Sequence, residues 1–147
     1  MIEKTQDTIW VLETNIDDCS GEILGYTLER LLAAGARDAF YRPIFMKKTR
    51  PAYQLTVLCK EEAISTLEDI IFTETTSIGI RRRQEVRTIL TRSFSSIETP
   101  YGSLEVKQVH VDGAVRNYPE YESAKRLAQT NGVPLQTIYR CCQEQKD

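Results

Sequence analysis

The chain opens with an apolar run that is followed by a segment with helical periodicity. Residues 9–15 are rich in β-branched and aromatic side chains, which indicates a strand. Residues 17–20 include good helix caps, and leucines recur at helical spacing over residues 21–34. Gly35 is a typical helix stop. The pattern therefore predicts a strand that leads into an amphipathic helix.

Four further elements follow in the order strand, strand, helix, strand. Pro43 interrupts the apolar run of residues 39–46, which is typical of an edge strand. Residues 47–51 predict a turn, and the remaining elements are a strand over 53–59, a helix over 61–72 and a strand over 79–90. The order β-α-β-β-α-β predicts a ferredoxin-like α+β fold, with two helices on one face of a four-stranded antiparallel sheet.

The last third of the chain has a different pattern. Residues 95–99 and 103–111 predict a β-hairpin, and Asp112-Gly113 predicts a turn after it. Pro119 predicts the start of a helix, and Pro134 predicts the start of a short last helix. We therefore expect a ferredoxin-like subdomain over residues 1–92 and a β-hairpin with two short helices over residues 93–147.

The composition indicates a globular domain and excludes several classes of site. The 147 residues are 41% hydrophobic, with no run long enough for a membrane span and no leader-like pattern at the start. Nineteen basic residues against 21 acidic ones give no bulk attraction to nucleic acid. The four cysteines form no C-x-x-C pair, which favours reduced thiols in the cytoplasm. The single histidine, His110, excludes a multi-histidine metal site within one chain.

Charges are segregated along the sequence. Residues 1–22 carry six acids against one lysine, residues 39–50 carry four bases and no acid, and residues 81–92 carry five arginines against Glu85. Carboxylates bind Mg²⁺ or Mn²⁺, and cations bind phosphate oxygens, so these blocks together would suit a metal–phosphate ligand. The alternative is that they are solvated loops and an exposed strand face.

Three segments admit both a functional and a structural interpretation. Asp17 and Asp18 stand where carboxylates can either bind a hard metal or cap the following helix. Residues 74–77 (Glu-Thr-Thr-Ser) can line a phosphate or metal site or form an ordinary loop. Residues 126–140 have a helix-turn-helix pattern, but Arg140 is the one basic residue of the second helix, so a hairpin packed on the sheet is favoured over DNA binding.

Ordered motifs run through nearly the whole chain, from about residue 10 to residue 140. They are Glu-Thr-Asn-Ile-Asp-Asp at 13–18, Gly-Tyr at 25–26, Met-Lys-Lys at 46–48 with Arg50, Glu-Thr-Thr at 74–76 with Gly79 and Arg81-Arg82, Thr-Pro-Tyr-Gly at 99–102, Pro-Glu-Tyr-Glu at 119–122 and Gly-Val-Pro-Leu at 132–135. Together they resemble the LarC family, the nickel insertion proteins of the lactate racemase cofactor pathway.

The resemblance implies a role in CTP-dependent nickel insertion. Members of the family are lyases (cyclometallases) that bind CTP with Mg²⁺ or Mn²⁺ and hydrolyse it while placing Ni²⁺ into pyridinium-3,5-bisthiocarboxylic acid mononucleotide. This chain resembles their C-terminal part, which is associated with CTP. We therefore expect a cytoplasmic, homo-oligomeric nucleotide-binding domain that works with an N-terminal segment of the same protein and with the pincer precursor. Alone, it should bind CTP without completing the reaction.

The resemblance and the charge pattern together give the candidate site. No catalytic base or nucleophile is visible. Candidates for the nucleotide phosphates are Lys47, Lys48, Arg50, Arg81, Arg82 and Thr76; candidates for the metal are Asp17, Asp18, Glu13 and Glu74, with Glu120 and Glu122 in second rank for metal or ribose contacts.

Two departures from the family pattern lie beside the second-rank candidates. Family members commonly have a lysine and an aspartate where this chain has Tyr118 and Ser123, so a site there would be altered. The alternative function from another class is a non-catalytic oligomerisation module whose uncovered sheet face packs on neighbours.

Overall fold

A computed structural model describes residues 2–143. Contacts divide the described residues into two compact units, one of Gln6–Arg87 and one of residues 2–5 with 88–143. The first unit is built from four strands and two helices: β1 Lys4–Ile16, α1 Gly21–Ala33, β2 Asp38–Met46, β3 Arg50–Cys59, α2 Ile64–Glu74 and β4 Arg81–Leu90. Short 3₁₀ segments, Lys47–Thr49 and Glu61–Ala63, precede β3 and α2.

The four strands form one sheet in the order β2-β3-β1-β4. β3 pairs antiparallel with both β1 and β2, and its Gln54 lies opposite Asn15 on one side and Arg42 on the other. This order confirms the predicted ferredoxin-like α+β fold. β2 is an edge strand, as Pro43 predicted, because proline cannot donate to a second neighbouring strand.

The core of this unit lies between the sheet and its two helices. Leu12 of β1, Leu31 of α1 and Leu67 of α2 are completely buried. Burial of such a side chain contributes about 1.5–3 kcal/mol. The buried face of α1 is narrower than the spacing of its leucines predicted, because Leu32 is 48% exposed. Ser20 caps α1, and its hydroxyl accepts the Ile23 N–H at 3.3 Å.

The second unit has a three-stranded sheet with two helices packed on it. Its elements are β5 Arg92–Thr99, β6 Gly102–Val111, β7 Ala114–Pro119, α3 Tyr121–Asn131 and α4 Leu135–Gln143. The sheet order is β5-β6-β7, with antiparallel pairing throughout, so a third strand extends the predicted hairpin. Leu104 and Val106 of β6 and Ile138 of α4 are completely buried and belong to its core.

Two details of this unit differ from the sequence-based expectations. Pro119 does not start a helix; it ends β7, and α3 begins at Tyr121 after Glu120 as N-cap. Proline is tolerated on an edge strand such as β7 and also at a helix start. Pro119 alone could therefore not distinguish a strand from a helix at this point. The structure also shows α3 and α4 as a hairpin packed on the sheet, with Gly132 in the left-handed conformation (φ 64°) at the end of α3.

No helix within residues 2–143 is both long enough and apolar enough to cross a membrane.

Candidate functional site

One end of the four-stranded sheet brings together residues from all three charge blocks. β1 ends there and β3 and β4 begin there, so side chains far apart in sequence become neighbours. We name this group the sheet-end cluster; it consists of Glu13, Asn15, Asp17, Asp18, Lys47, Lys48, Arg50, Thr76, Arg81 and Arg83.

Asp17 and Asp18 follow β1, and each has a polar partner from another element. Arg50, the first residue of β3, donates to Asp17 at 3.1 Å. The Thr76 hydroxyl donates to the carboxylate of Asp18. Because Ser20 is the N-cap of α1, neither aspartate is used for capping. The interpretation of this pair as helix caps is therefore wrong, whereas the favourable position of both carboxylates before the N-terminus of α1 remains.

The loop that carries Thr76 is fixed to β1. The Thr14 hydroxyl donates to the Gly79 carbonyl at 2.9 Å, and the Ser77 N–H donates to the Thr75 hydroxyl at 3.1 Å. Thr14 is buried. The polar segment of residues 74–77 is thus held against the end of β1, which puts the Thr76 hydroxyl beside Asp18.

Lys47 and Lys48 form the exposed turn between β2 and β3. Lys48 and Thr49 both have left-handed backbone conformations, with φ of 60° and 58°. Such a conformation costs roughly 1–2 kcal/mol for a residue with a Cβ, and strain of this kind tends to cluster at ligand clamps. Within residues 2–143, no carboxylate lies within ion-pair distance of either ammonium.

Glu13 is held between two arginines of β4. Arg83 donates to its two oxygens at 2.9 and 3.3 Å, and Arg81 lies 3.8 Å away. The hydrogen bond from Arg83 lowers the pKa of Glu13, and the charges of Arg83, Arg81 and Arg42 lower it further against the opposing effect of burial. The same contact raises the pKa of Arg83. Glu13 is therefore ionised at neutral pH, and its carboxylate holds the Arg81 and Arg83 side chains in place.

A carboxamide pair fixes Arg81 at the sheet end. Arg81 Nη2 donates to Asn15 Oδ1 at 3.1 Å, and Gln54 Nε2 donates to the same oxygen at 3.2 Å. Because a guanidinium only donates, Asn15 must present its oxygen, and Gln54 must then present its nitrogen. Gln54 Oε1 is buried with no partner among the described residues. Asn15, Gln54 and Arg83 were not among the predicted site residues; the alternation of Arg81 and Arg83 along β4 was the available signal for Arg83.

Four of the predicted site residues have partners that do not belong to the cluster. Glu74 pairs with Arg30 of α1, and Arg82 faces α2, where it lies 3.5 Å from Glu68. Glu120 and Glu122 belong to the second unit, where their partners are Lys107 at 2.8 Å and Lys125 at 3.9 Å.

The two departures from the family pattern also lie in the second unit. Ser123 is buried, and its hydroxyl accepts the Glu105 N–H at 3.0 Å. Tyr118 is half-exposed on β7 and lies opposite Lys107 of β6. At these two positions the chain therefore has a buried backbone hydrogen bond and an exposed aromatic ring.

The donor chemistry of the cluster fits a divalent metal that arrives with a phosphate ligand. Within the described residues, no three acidic, histidine or cysteine side chains converge in a way that could hold a metal ion. Mg²⁺ usually keeps several waters and takes one or two carboxylates together with substrate phosphates. The adjacent carboxylates of Asp17 and Asp18 match that requirement, and they do not match the requirement of an all-protein cage.

Comparison with known proteins identifies the family. Residues 1–139 match the family described as nickel insertion protein. The chain belongs to this family. A pyridinium-3,5-bisthiocarboxylic acid mononucleotide nickel insertion protein of Alkaliphilus metalliredigens is 50% identical over 130 residues, which cover 88% of this chain and 31% of the relative. The protein of the same name from Lactiplantibacillus plantarum is 41% identical over 95% of this chain and 33% of its own length. The chain thus spans about a third of the curated relatives it matches.

Solved structures agree with this assignment. A solved structure described as LarC2, the C-terminal domain of a cyclometallase involved in the synthesis of the NPN cofactor of lactate racemase, in the apo form, is similar with a TM-score of 0.83. It is 42% identical, and the match covers 93% of this chain and 95% of that one. A protein from Methanopyrus kandleri has the same fold with a TM-score of 0.66 at 22% identity. The predicted LarC relationship is confirmed, and the similarity is to the C-terminal domain.

Proposed function

We propose that this chain is the CTP- and divalent-metal-binding domain of a nickel insertion protein. In that role it would serve the insertion of Ni²⁺, as substrate, into pyridinium-3,5-bisthiocarboxylic acid mononucleotide, the compound in the relatives' name. The observation that carries the proposal is the sheet-end cluster. Asp17 and Asp18 do not cap α1, they contact Arg50 and Thr76, and the turn just before Arg50 carries Lys47 and Lys48, which have no ion-pair partner within residues 2–143.

The cluster divides into groups with different tasks. Lys47, Lys48 and Arg50 would bind the triphosphate, and Asp17 and Asp18 would hold Mg²⁺ or Mn²⁺ through one oxygen each. A divalent metal on the triphosphate supplies charge neutralisation and orientation of the phosphates. Glu13, Asn15 and Gln54 hold Arg81 in a fixed place, so that its guanidinium needs little ordering when phosphate binds.

Three predicted residues have other tasks in this proposal. Glu13 and Glu74 anchor arginines, and Arg82 pairs with Glu68 on the helix side of the sheet. The chain spans about a third of its relatives, so the remaining steps of nickel insertion would require the rest of such a protein as a partner.

Thermal unfolding with added nucleotides tests the proposal. The midpoint is measured with CTP, UTP, ATP and GTP, each with Mn²⁺, with Mg²⁺ and with excess chelator. A ligand at about 100 times its Kd adds about 2.7 kcal/mol. We expect a rise with CTP plus metal and much smaller rises with the other nucleotides or with CTP in chelator. An equal midpoint with and without CTP and metal would contradict the proposal.

We also propose that the domain self-associates through β2. This strand is the edge of its sheet, and its Phe45 is 79% exposed and Phe40 is 43% exposed. An edge strand with exposed aromatic side chains is a template for pairing. Sedimentation of the wild type and of Phe45→Glu tests this: the variant should sediment as a smaller species. Identical sedimentation of the two proteins would contradict pairing through β2.

A further inference from the structure

The second unit contains a cleft with an unusual combination of groups. Its volume is about 430 Å³. Its lining includes Phe94, which is 70% exposed, and the buried Val106 of β6. The other lining residues are hydroxyls and carboxylates: Ser95, Ser96, Glu105 and Glu120. An exposed aromatic ring, hydroxyls and acids together suit a ligand with an aromatic, positively charged part.

The protein's own cation stands at this cleft. Lys107 Nζ lies 5.8 Å from the centre of the Phe94 ring and 2.8 Å from Glu120 Oε1. Phe94 and Lys107 are cross-strand partners on β5 and β6, so the pairing of the strands sets this stacking. The ring, the ammonium and the carboxylate are three groups joined by two contacts, and the aromatic face and the carboxylate both attract positive charge.

We propose that this cleft binds the pyridinium ring of a pyridinium mononucleotide that carries acid groups. The inference rests on the proposed function, since the substrate class comes from the relatives' name. That class combines a cationic aromatic ring with anionic arms. The ring stacks on Phe94 with its positive charge near Glu120, and an acid arm pairs with the Lys107 ammonium.

The exchange gives Lys107 and Glu120 new partners of opposite charge. In the free protein, the Lys107 ammonium contacts both the Phe94 ring and the Glu120 carboxylate. In the complex, the pyridinium takes these two partners, and Lys107 takes the ligand's acid group. Ser95 and Ser96 remain for the ribose or phosphate oxygens of the nucleotide. A purely anionic ligand would satisfy Lys107 but would leave Glu120 without a cation.

Calorimetric titration of the full chain tests this assignment. The probe is nicotinic acid mononucleotide, which has a pyridinium ring with one carboxylate. Nicotinamide mononucleotide has the same ring with a neutral amide, and its affinity should be several-fold lower. Lys107→Gln should weaken the acid probe roughly tenfold or more and Phe94→Leu roughly three- to fivefold. Lys107→Gln should also remove the preference for the acid over the amide, an effect that loss of structure alone would not produce.

The matched control lies in the same unit. Lys125 stands 5.7 Å over the ring of Tyr121 and 3.9 Å from Glu122, a similar arrangement outside the cleft. Lys125→Gln should leave the affinity of the acid probe within about twofold. Equal effects of the two lysine substitutions, or no effect of either, would overturn the assignment of the cleft.

A CTP–Mn²⁺ titration of the same preparation separates the two proposals. Binding of CTP–Mn²⁺ without binding of either pyridinium probe would overturn the cleft and leave the proposed function standing. Binding of the acid probe that the cleft variants weaken, without binding of CTP–Mn²⁺, would support the cleft and contradict the nucleotide site.

Discussion

Replacement of Lys48 by glycine separates the backbone strain of the lysine turn from its charge. Lys48 has φ of 60°, and within residues 2–143 no carboxylate is near its ammonium. Glycine adopts this conformation freely, so Lys48→Gly removes strain of about 1–2 kcal/mol, from which the greater entropy of glycine in the unfolded chain subtracts roughly 0.5–1 kcal/mol. Lys48→Ala keeps the Cβ and the strain but removes the same charge.

The expected shifts follow from the size of the chain. With 147 residues and about 2.1 cal/mol/K of unfolding entropy per residue, 1 kcal/mol corresponds to about 3 °C in Tm. Without ligand, Lys48→Gly should therefore raise Tm by up to about 5 °C, and Lys48→Ala should change it by less than about 2 °C. A charge-assisted contact with phosphate is worth about 2 kcal/mol, so its loss weakens CTP binding roughly 30-fold.

Differential scanning fluorimetry gives both quantities. At CTP–Mn²⁺ equal to about 100 times the wild-type Kd, the wild type should gain about 9 °C and each variant only about 3 °C. The control is Lys60→Ala, because Lys60 is exposed and pairs weakly with Glu62 at 3.8 Å. If either Lys48 variant gained the full 9 °C, the lysine turn would not hold the phosphates. A lower ligand-free Tm in Lys48→Gly would refute the strain argument.

Three further outcomes are expected. Leu67→Ala should lower the free energy of unfolding by roughly 2–5 kcal/mol in urea titrations because Leu67 is completely buried, whereas Leu32→Ala, at a half-exposed position, should cost far less. Ser20→Ala removes the α1 cap and should lower the free energy of unfolding by about 1 kcal/mol, measured in the same way. Because Arg83 lowers the pKa of Glu13, the contact stabilises the fold at neutral pH, and this contribution is lost as pH falls from about 4.5 through the folded pKa. The urea midpoints of wild type and Glu13→Gln should therefore differ at pH 7 and converge in acid; a constant difference would contradict the assigned cause.

The elements predicted best from the sequence are those in which the hydrophobic periodicity continues over about a dozen residues. The predicted helix over residues 21–34 is α1 Gly21–Ala33. β7 was missed because Ala114–Pro119 is short, exposed for most of its length and ends in a proline. The helix predicted over residues 61–72 begins as a 3₁₀ turn, and α2 starts only at Ile64. In each of these two cases the structure depends on the strand or helix with which the segment pairs or packs. The local propensity of the residues does not determine it.

In the candidate site, too, groups of neighbouring residues could be predicted, and contacts between distant parts of the chain could not. The lysine turn and the Asp17–Asp18 pair are contiguous in sequence and could be named from it. The partners of the carboxylates could not be named from the sequence, because these arginines lie on other strands. Arg50 is the partner of Asp17, and Arg83 is the partner of Glu13. The sheet register that joins them depends on pairings across 33 and 70 positions.

Lys47 and Lys48 matter more than the arginines for a phosphate ligand, because no carboxylate of residues 2–143 forms an ion pair with them. Arg50 is already paired with Asp17, and Arg81 and Arg83 share Glu13. With Lys47 and Lys48, the cluster holds five cations against the three carboxylates of Glu13, Asp17 and Asp18, an excess of two; Arg42, which also acts on Glu13, adds to it. A nucleoside triphosphate carries about four negative charges, and one divalent metal offsets two of them. The metal lowers the charge of the nucleotide toward the excess charge of the cluster, so CTP should bind more tightly with Mn²⁺ or Mg²⁺ than in excess chelator.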